Sequence, residues 1–188
     1  MSDEAVSLRP IAEADLSVIE ELVNDPETLG EFQWYGWRDA RRYRRRWVES
    51  GLLEEEQWML AVVVDGEFGG FVAANRNGVR PSAPYWSIGV QLLPGVRGRG
   101  IGTRAQGLLV DYLFAHSPVM RVEADTEADN LAEQRVLEKL GFTREGVQRA
   151  VTFRAGEWRD VVRYSLLRTD PRPQGLSSNS RLRGDDRP

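Results

Sequence analysis

The apolar positions of the 188-residue chain fall into short runs whose period switches between two and roughly three and a half, the mark of strands mixed with helices. A strand-like run at residues 5–9 leads to a helix whose stripe is Leu16, Ile19, Leu22 and Val23, with Asp15 as its N-cap and Pro26 as its end. Asp39 caps a second helix, DARRYRRRWVES. Tyr43 and Trp47 share one face there, the arginines form the solvated side, and Gly51 sits at the C-terminal cap. WMLAVVV and EFGGFVAA flank Asp65-Gly66, a strong hairpin signal. NRNGVRPSAP has no period and reads as loop, and YWSIGVQLL reads as a strand stopped by Pro94.

Helical spacing returns with Ile101, Ala105, Leu108, Leu109, Tyr112 and Leu113. MRVEADT is a strand, LAEQRVLEKL a short helix closed by Gly141, and residues 142–168 form two strands around Ala155-Gly156. The order βααββββαβαββ, which allows one strand too many in the middle, predicts an α/β fold with a mixed sheet flanked by helices. Residues 1–170 form one domain, a length natural domains commonly have. Residues 171–188, rich in Pro, Ser, Arg and Asp, are expected to be a mobile tail.

Composition narrows the chemistry. There is no cysteine and one histidine, His116, so thiolate metal sites, cysteine nucleophiles and multi-histidine metal sites are ruled out, and no metal is expected. Asp and Glu total 29 against 25 Lys and Arg, a net charge of −4 that argues against a broad nucleic-acid-binding face. The segment MSDEAVSLRP lacks the apolar core of a signal peptide, and no stretch approaches about 18 apolar residues. The expectation is a cytoplasmic protein, off the membrane, as a monomer or homodimer.

Between the strand YWSIGVQLL and the next helix lies PGVRGRGIGT. A strand ending in a glycine-rich turn that opens a helix makes an anion site, because the first helical N–H groups lack partners and the helix dipole is positive there. Arg97 and Arg99 add charge at the same place. No Gly-Lys-Ser or Gly-Lys-Thr occurs, which excludes a Walker loop. The spacing of Gly98, Gly100 and Gly102 is G-x-G-x-G after several strands, which excludes the dinucleotide fingerprint.

The stretch from Arg97 to Thr103 resembles the acyl-CoA pyrophosphate loop of the GNAT N-acetyltransferase superfamily. ADNLAEQRVLEKLGFTREG resembles that superfamily's second hallmark, an Asn opening a short helix that ends in Gly-Phe before a strand. With LRPIAEADL and WRDVVRYSLLR the likeness covers residues 6–168 and is closest to the RimJ/RimL-like branch. The resemblance implies a GNAT-like fold: a central, mostly antiparallel sheet of six to seven strands flanked by about four helices. It implies acetyl transfer from acetyl-CoA to a primary amine of a small molecule or a protein N-terminus by direct attack. A non-catalytic acyl-CoA-binding module is the alternative.

By the same resemblance, the backbone of Arg97, Gly98, Arg99, Gly100, Ile101, Gly102 and Thr103 holds the cofactor's diphosphate, and Asn130 bonds the pantetheine arm. The segment Val90, Gln91 and Leu92 supplies an oxyanion-binding N–H. Glu123 matches in strand position the glutamate that some relatives use to collect the amine proton, although it could equally pair with Arg121 or a neighbouring strand. The Tyr and Ser positions of relatives are Leu137 and Glu133 here. Glu133 serves near the sulfur only if burial raises its pKa, and a surface role is the alternative. Between the early helices, EFQWYGW places Glu31, Phe32, Trp34 and Tyr35 where relatives bind the acceptor; the rings line a pocket or belong to the core.

Overall fold

The computed structural model describes residues 4–78 and 82–173. Its seven strands form one sheet: β1 (Val6–Pro10), β2 (Gln57–Val64), β3 (Glu67–Gly78), β4 (Pro84–Leu92), β5 (Arg121–Glu127), β6 (Thr143–Arg154) and β7 (Glu157–Leu167), in the order β1-β2-β3-β4-β5-β7-β6. Every neighbouring pair is antiparallel except β4 with β5. The helices are α1 (Asp15–Leu22), α2 (Pro26–Leu29), α3 (Arg41–Ser50), α4 (Ile101–His116) and α5 (Leu131–Lys139). None of the described helices is long and apolar enough to cross a membrane.

The sheet separates two cores. On one face Ile101, Ala105, Leu109 and Leu113 of α4 and Leu137 of α5 pack, fully buried, on alternate residues of the central strands such as Val62, Val72 and Val122. On the other, Leu16 and Ile19 of α1 and Tyr43 of α3 cover Met59 and Ala61. Such burial, worth about 1.5–3 kcal/mol per large side chain, holds the helices to the sheet.

Several local expectations are corrected. Asp15 is the first residue of α1 rather than its cap; its carboxylate reaches back to the Ala12 N–H at 2.8 Å and pairs with Arg9 at 2.6 Å. Pro26 does not merely end α1 but begins α2, where a missing N–H costs nothing, behind an Asp25 cap. Asp39 lies one residue before the cap position, yet its Oδ1 accepts the Arg41 N–H at 3.1 Å. Gly51 caps α3 with φ +64° and donates to the Trp47 carbonyl at 2.8 Å, as expected.

Strand β3 extends through Gly78, paired with β4, so residues 75–78 are not loop; residues 79–81 lie outside the described residues. Ala155 and Gly156 both have positive φ, 51° and 83°, which fits the tight turn of the β6–β7 hairpin. Of the expected mobile tail only residues 171–173 are described. There Arg172 pairs with Asp111 at 2.9 Å, and a Cβ on Gly141 would lie 3.2 Å from Pro173 Cδ.

Candidate active site

The site is built where the sheet comes apart. β4 and β5 pair only at Trp86 with Val122 and Ser87 with Glu123; beyond that point they diverge. β4 stays bonded to β3 up to Leu92, opposite Gly70. A Cβ on Gly70 would come 2.2 Å from the Gln91 carbonyl oxygen, so only glycine allows the β3 backbone this close to the end of β4. From Ile88 onward, alternate main-chain groups of β4 face the gap instead of a partner strand.

A cleft of about 630 Å³ occupies this gap. Its walls include Val90, Gln91 and Leu92 of β4, the turn residues Arg97, Gly98, Gly100, Gly102 and Thr103, Asn130 and Glu133, and Glu31 and Phe32 from the loop after α2. Gly98 and Gly100 have φ +73° and +76°, and a Cβ on either would meet nothing within 4 Å. The turn is thus an open cradle leading into the N-terminus of α4, with bare N–H groups for an anion, and the residues fit a diphosphate.

The loop's arginines are not free clamps. Arg97 donates through Nε to the Leu92 carbonyl at 2.9 Å and through Nη2 to the Thr28 and Leu29 carbonyls, joining the end of β4 to α2. Those acceptors are neutral, and burial pushes the guanidinium pKa down. Gln91 reinforces the junction from Nε2 to the Leu29 carbonyl at 3.1 Å. Arg99 pairs with Glu4 and donates to the Gly95 carbonyl at 2.9 Å, off the cleft. Ile101 has its side chain in the core, so only its main chain is available to a ligand. The turn therefore offers an anion backbone N–H groups more than arginine charge.

Asn130 caps α5, its Oδ1 accepting the Glu133 N–H at 3.2 Å. Burial pushes the Glu133 carboxyl up, and the nearby Gln106 amide opposes the shift in part. Gln106 is fully buried on α4, and neither of its polar atoms has a well-formed hydrogen bond. Leu137, at the position where relatives carry Tyr, is core.

Glu123 is 5% exposed and takes Arg121 Nε on Oε1 at 2.6 Å, with Arg163 Nε 3.5 Å from Oε2. It is held in an ion-pair ladder that continues from Arg163 to Asp125 and from Arg121 to Glu145, and it is absent from the cleft wall, which Asp125 reaches. Arg121 holds the Glu145 carboxyl down at about 2.

Trp34 and Tyr35 do not line this cleft. With Glu27, Phe153 and Arg154 they line a second cavity, also of about 630 Å³, and Glu31 lines both. The buried ion pair of Arg154 with Glu127, 2.7 Å on each of two contacts, lies against it. Tyr35 Oη donates to Glu127 at 3.3 Å, and Arg154 lies 5.4 Å over the Phe32 ring. Sequence reading missed Glu127, Phe153 and Arg154. Phe153 and Trp158 could have been paired across the predicted hairpin, but no local signal links Arg154 to a carboxylate 27 residues away.

A parallel strand pair splayed over a glycine turn that opens a helix offers a cradle for the diphosphate of an acyl-CoA donor. The acetyltransferase (GNAT) domain family matches residues 6–143, and the chain belongs to that family, in its RimJ/RimL-like branch. Its donor is acetyl-CoA and its reaction is acetyl transfer to an amine. Aminoglycoside N(6')-acetyltransferase type 1 of Klebsiella pneumoniae is 27% identical over 161 residues, 77% of each chain. Mycobacterium smegmatis RimJ, solved with CoA-disulfide, superposes with a TM-score of 0.73 at 25% identity, covering 87% of this chain and 82% of its own. The spermidine N-acetyltransferase of Vibrio cholerae, solved with CoA and spermine, has a TM-score of 0.77 at 17% identity and covers 88% and 96%.

Proposed function

We propose that acetyl-CoA lies in the β4–β5 cleft, its diphosphate on the N–H groups from Gly98 to Thr103, and that a primary amine attacks its thioester directly from the Glu31–Phe32 side. The observation that carries this reading is convergence: strand end, glycine turn, Asn130 and Glu133 share one cleft. As the C–N bond forms and the C–S bond breaks, the nitrogen gives up one proton and the sulfur gains one, so no other reactant is needed. A main-chain N–H of the segment Val90, Gln91 and Leu92, one that faces the gap and not β3, stabilises the developing oxyanion, a role worth about 3–4 kcal/mol in comparable sites.

Glu133 is the proton donor to sulfur. Burial raises its pKa, which favours the neutral carboxyl that can donate over the carboxylate that would repel a thiolate. Glu123 receives the amine proton through water, since it stands behind the cleft wall that Asp125 reaches. It stands opposite Ser87, on the sheet face where Gly89 leaves open space.

Thiol release from acetyl-CoA in the presence of primary amines tests the reaction: turnover is expected, and CoA binding without turnover on any amine or peptide N-terminus would leave the non-catalytic module instead. Gly102→Val tests the cradle. Gly102 carries no positive φ and its Cβ would find only Leu92 Cδ1, at 3.7 Å, so the fold is expected to survive while the branched side chain crowds the diphosphate. A folded variant with unchanged CoA affinity by calorimetry would refute the placement.

A further inference from the structure

We infer that the second cavity is the seat of the acceptor's body, and that this body is apolar: the preferred substrate is a primary alkylamine or arylalkylamine. The inference rests on the acetyl-transfer reading above and adds the substrate class. Among the described residues Glu31 alone is shared by the two cavities, so a carboxylate stands on the path between donor and acceptor, where an ammonium group is held before it loses its proton.

Behind that carboxylate the walls turn aromatic. Trp34 and Tyr35 come from the loop before α3, and Phe153 from the β6–β7 hairpin on the opposite side. Each wall continues outward as an exposed edge-on ring pair: Trp34 with Trp37 at 5.2 Å, and Phe153 with Trp158 at 5.4 Å. Trp37 is 79% exposed, Trp158 64% and Phe153 55%. Exposed aromatic surface gathered on both sides of one concavity marks a binding site and not scattered surface residues.

Charge decides between an apolar body and a second cation. Besides Glu31, the described wall of the cavity has one carboxylate, Glu27, which is exposed. Arg154 also lines it, its charge matched by Glu127, and the Arg38 guanidinium lies 5.7 Å over the Tyr35 ring. A single ammonium fits at Glu31, but a second one would find only the solvated Glu27 and, beside Tyr35, the Arg38 guanidinium. Aromatic faces, by contrast, accept methylenes or a ring and favour the one cation at their edge.

The test is a series of linear primary amines from ethylamine to hexylamine, with phenethylamine and 1,6-diaminohexane, assayed by thiol release at fixed acetyl-CoA. Burying a methylene is worth ~0.8 kcal/mol, so kcat/KM is expected to rise about fourfold per added carbon, mainly through KM, with hexylamine preferred over the diamine. Phe153→Ala is expected to flatten the series. A flat series in the parent protein, or a preference for the diamine, would overturn the apolar assignment while leaving the transferase reading intact. If no amine turns over, direct binding still decides: hexylamine is expected to change tryptophan fluorescence and ethylamine at equal concentration is not, and no response to hexylamine overturns the inference.

Discussion

Glu133 shows how one residue's surroundings set its chemistry. The family resemblance leads one to expect Ser here, and a carboxylate is at first sight the wrong group beside a leaving thiolate. The fold answers by burying it against α4, which raises its pKa. A carboxyl whose pKa is higher folded than unfolded favours the fold while protonated. That contribution is complete below the unfolded value of about 4.3 and is lost as pH rises through the folded value. Glu133→Gln removes the titration. Thermal scans at a series of pH values are expected to show the variant melting above the parent at neutral pH, with the gap closing in acid, while kcat falls. Equal melting temperatures across the range would show that burial costs this carboxylate nothing.

Among elements, the loop carrying Phe32 to Tyr35 is fixed from beneath by β5 and β6. The Glu127–Arg154 pair has side-chain exposures of 3% and 9%, with Tyr35 bonded to the same carboxylate and Phe32 under the guanidinium. Removing one partner of such a pair leaves a buried charge alone, so Glu127→Gln is expected to destabilise the protein by about 3 kcal/mol, measured by urea unfolding. An apolar replacement of both partners should cost less. KM for the amine is expected to rise in either variant, because the loop loses its anchor. A loss of stability with no change in KM would mean the loop holds itself.

Legibility differed by element for physical reasons. The helices and hairpins of the core were readable because their apolar periods are local, and the glycine turn and the helix start at Asn130 were readable because positive φ and an N-cap favour particular residue types. The roles of Arg97 and Arg99 were not. Their charge was evident, yet Arg97 is used by carbonyls of α2 and Arg99 by Glu4, partners set only when the sheet is assembled. Glu123 and Arg121, two residues apart on one strand face, were a readable pair; the addition of Arg163 from β7 was not.

At the scale of the whole molecule, surface charge is largely settled internally. The arginine-rich α3 pairs Arg44 with Glu20, Arg45 with Asp39 and Arg46 with Glu54. Three of the five arginines of α3 are therefore held in ion pairs with carboxylates.

The divergence of β4 from β5 also bears on how the molecule opens. Among the described residues two ladder pairs join β4 to β5, and the rest of the tie between β1–β4 and β5–β7 is side-chain packing on α4 and α5 and the Tyr35–Glu127 contact. Without donor the sheet has a narrow ladder at this seam, and the gap-facing amide hydrogens of Ile88–Leu92 should exchange with solvent well before those of the β2–β3 ladder. A CoA arm lying in the gap would act as a missing rung, so adding CoA is expected to slow exchange on both flanking strands together. The donor would then be a structural member of its own enzyme, making the two sides of the seam unfold as one.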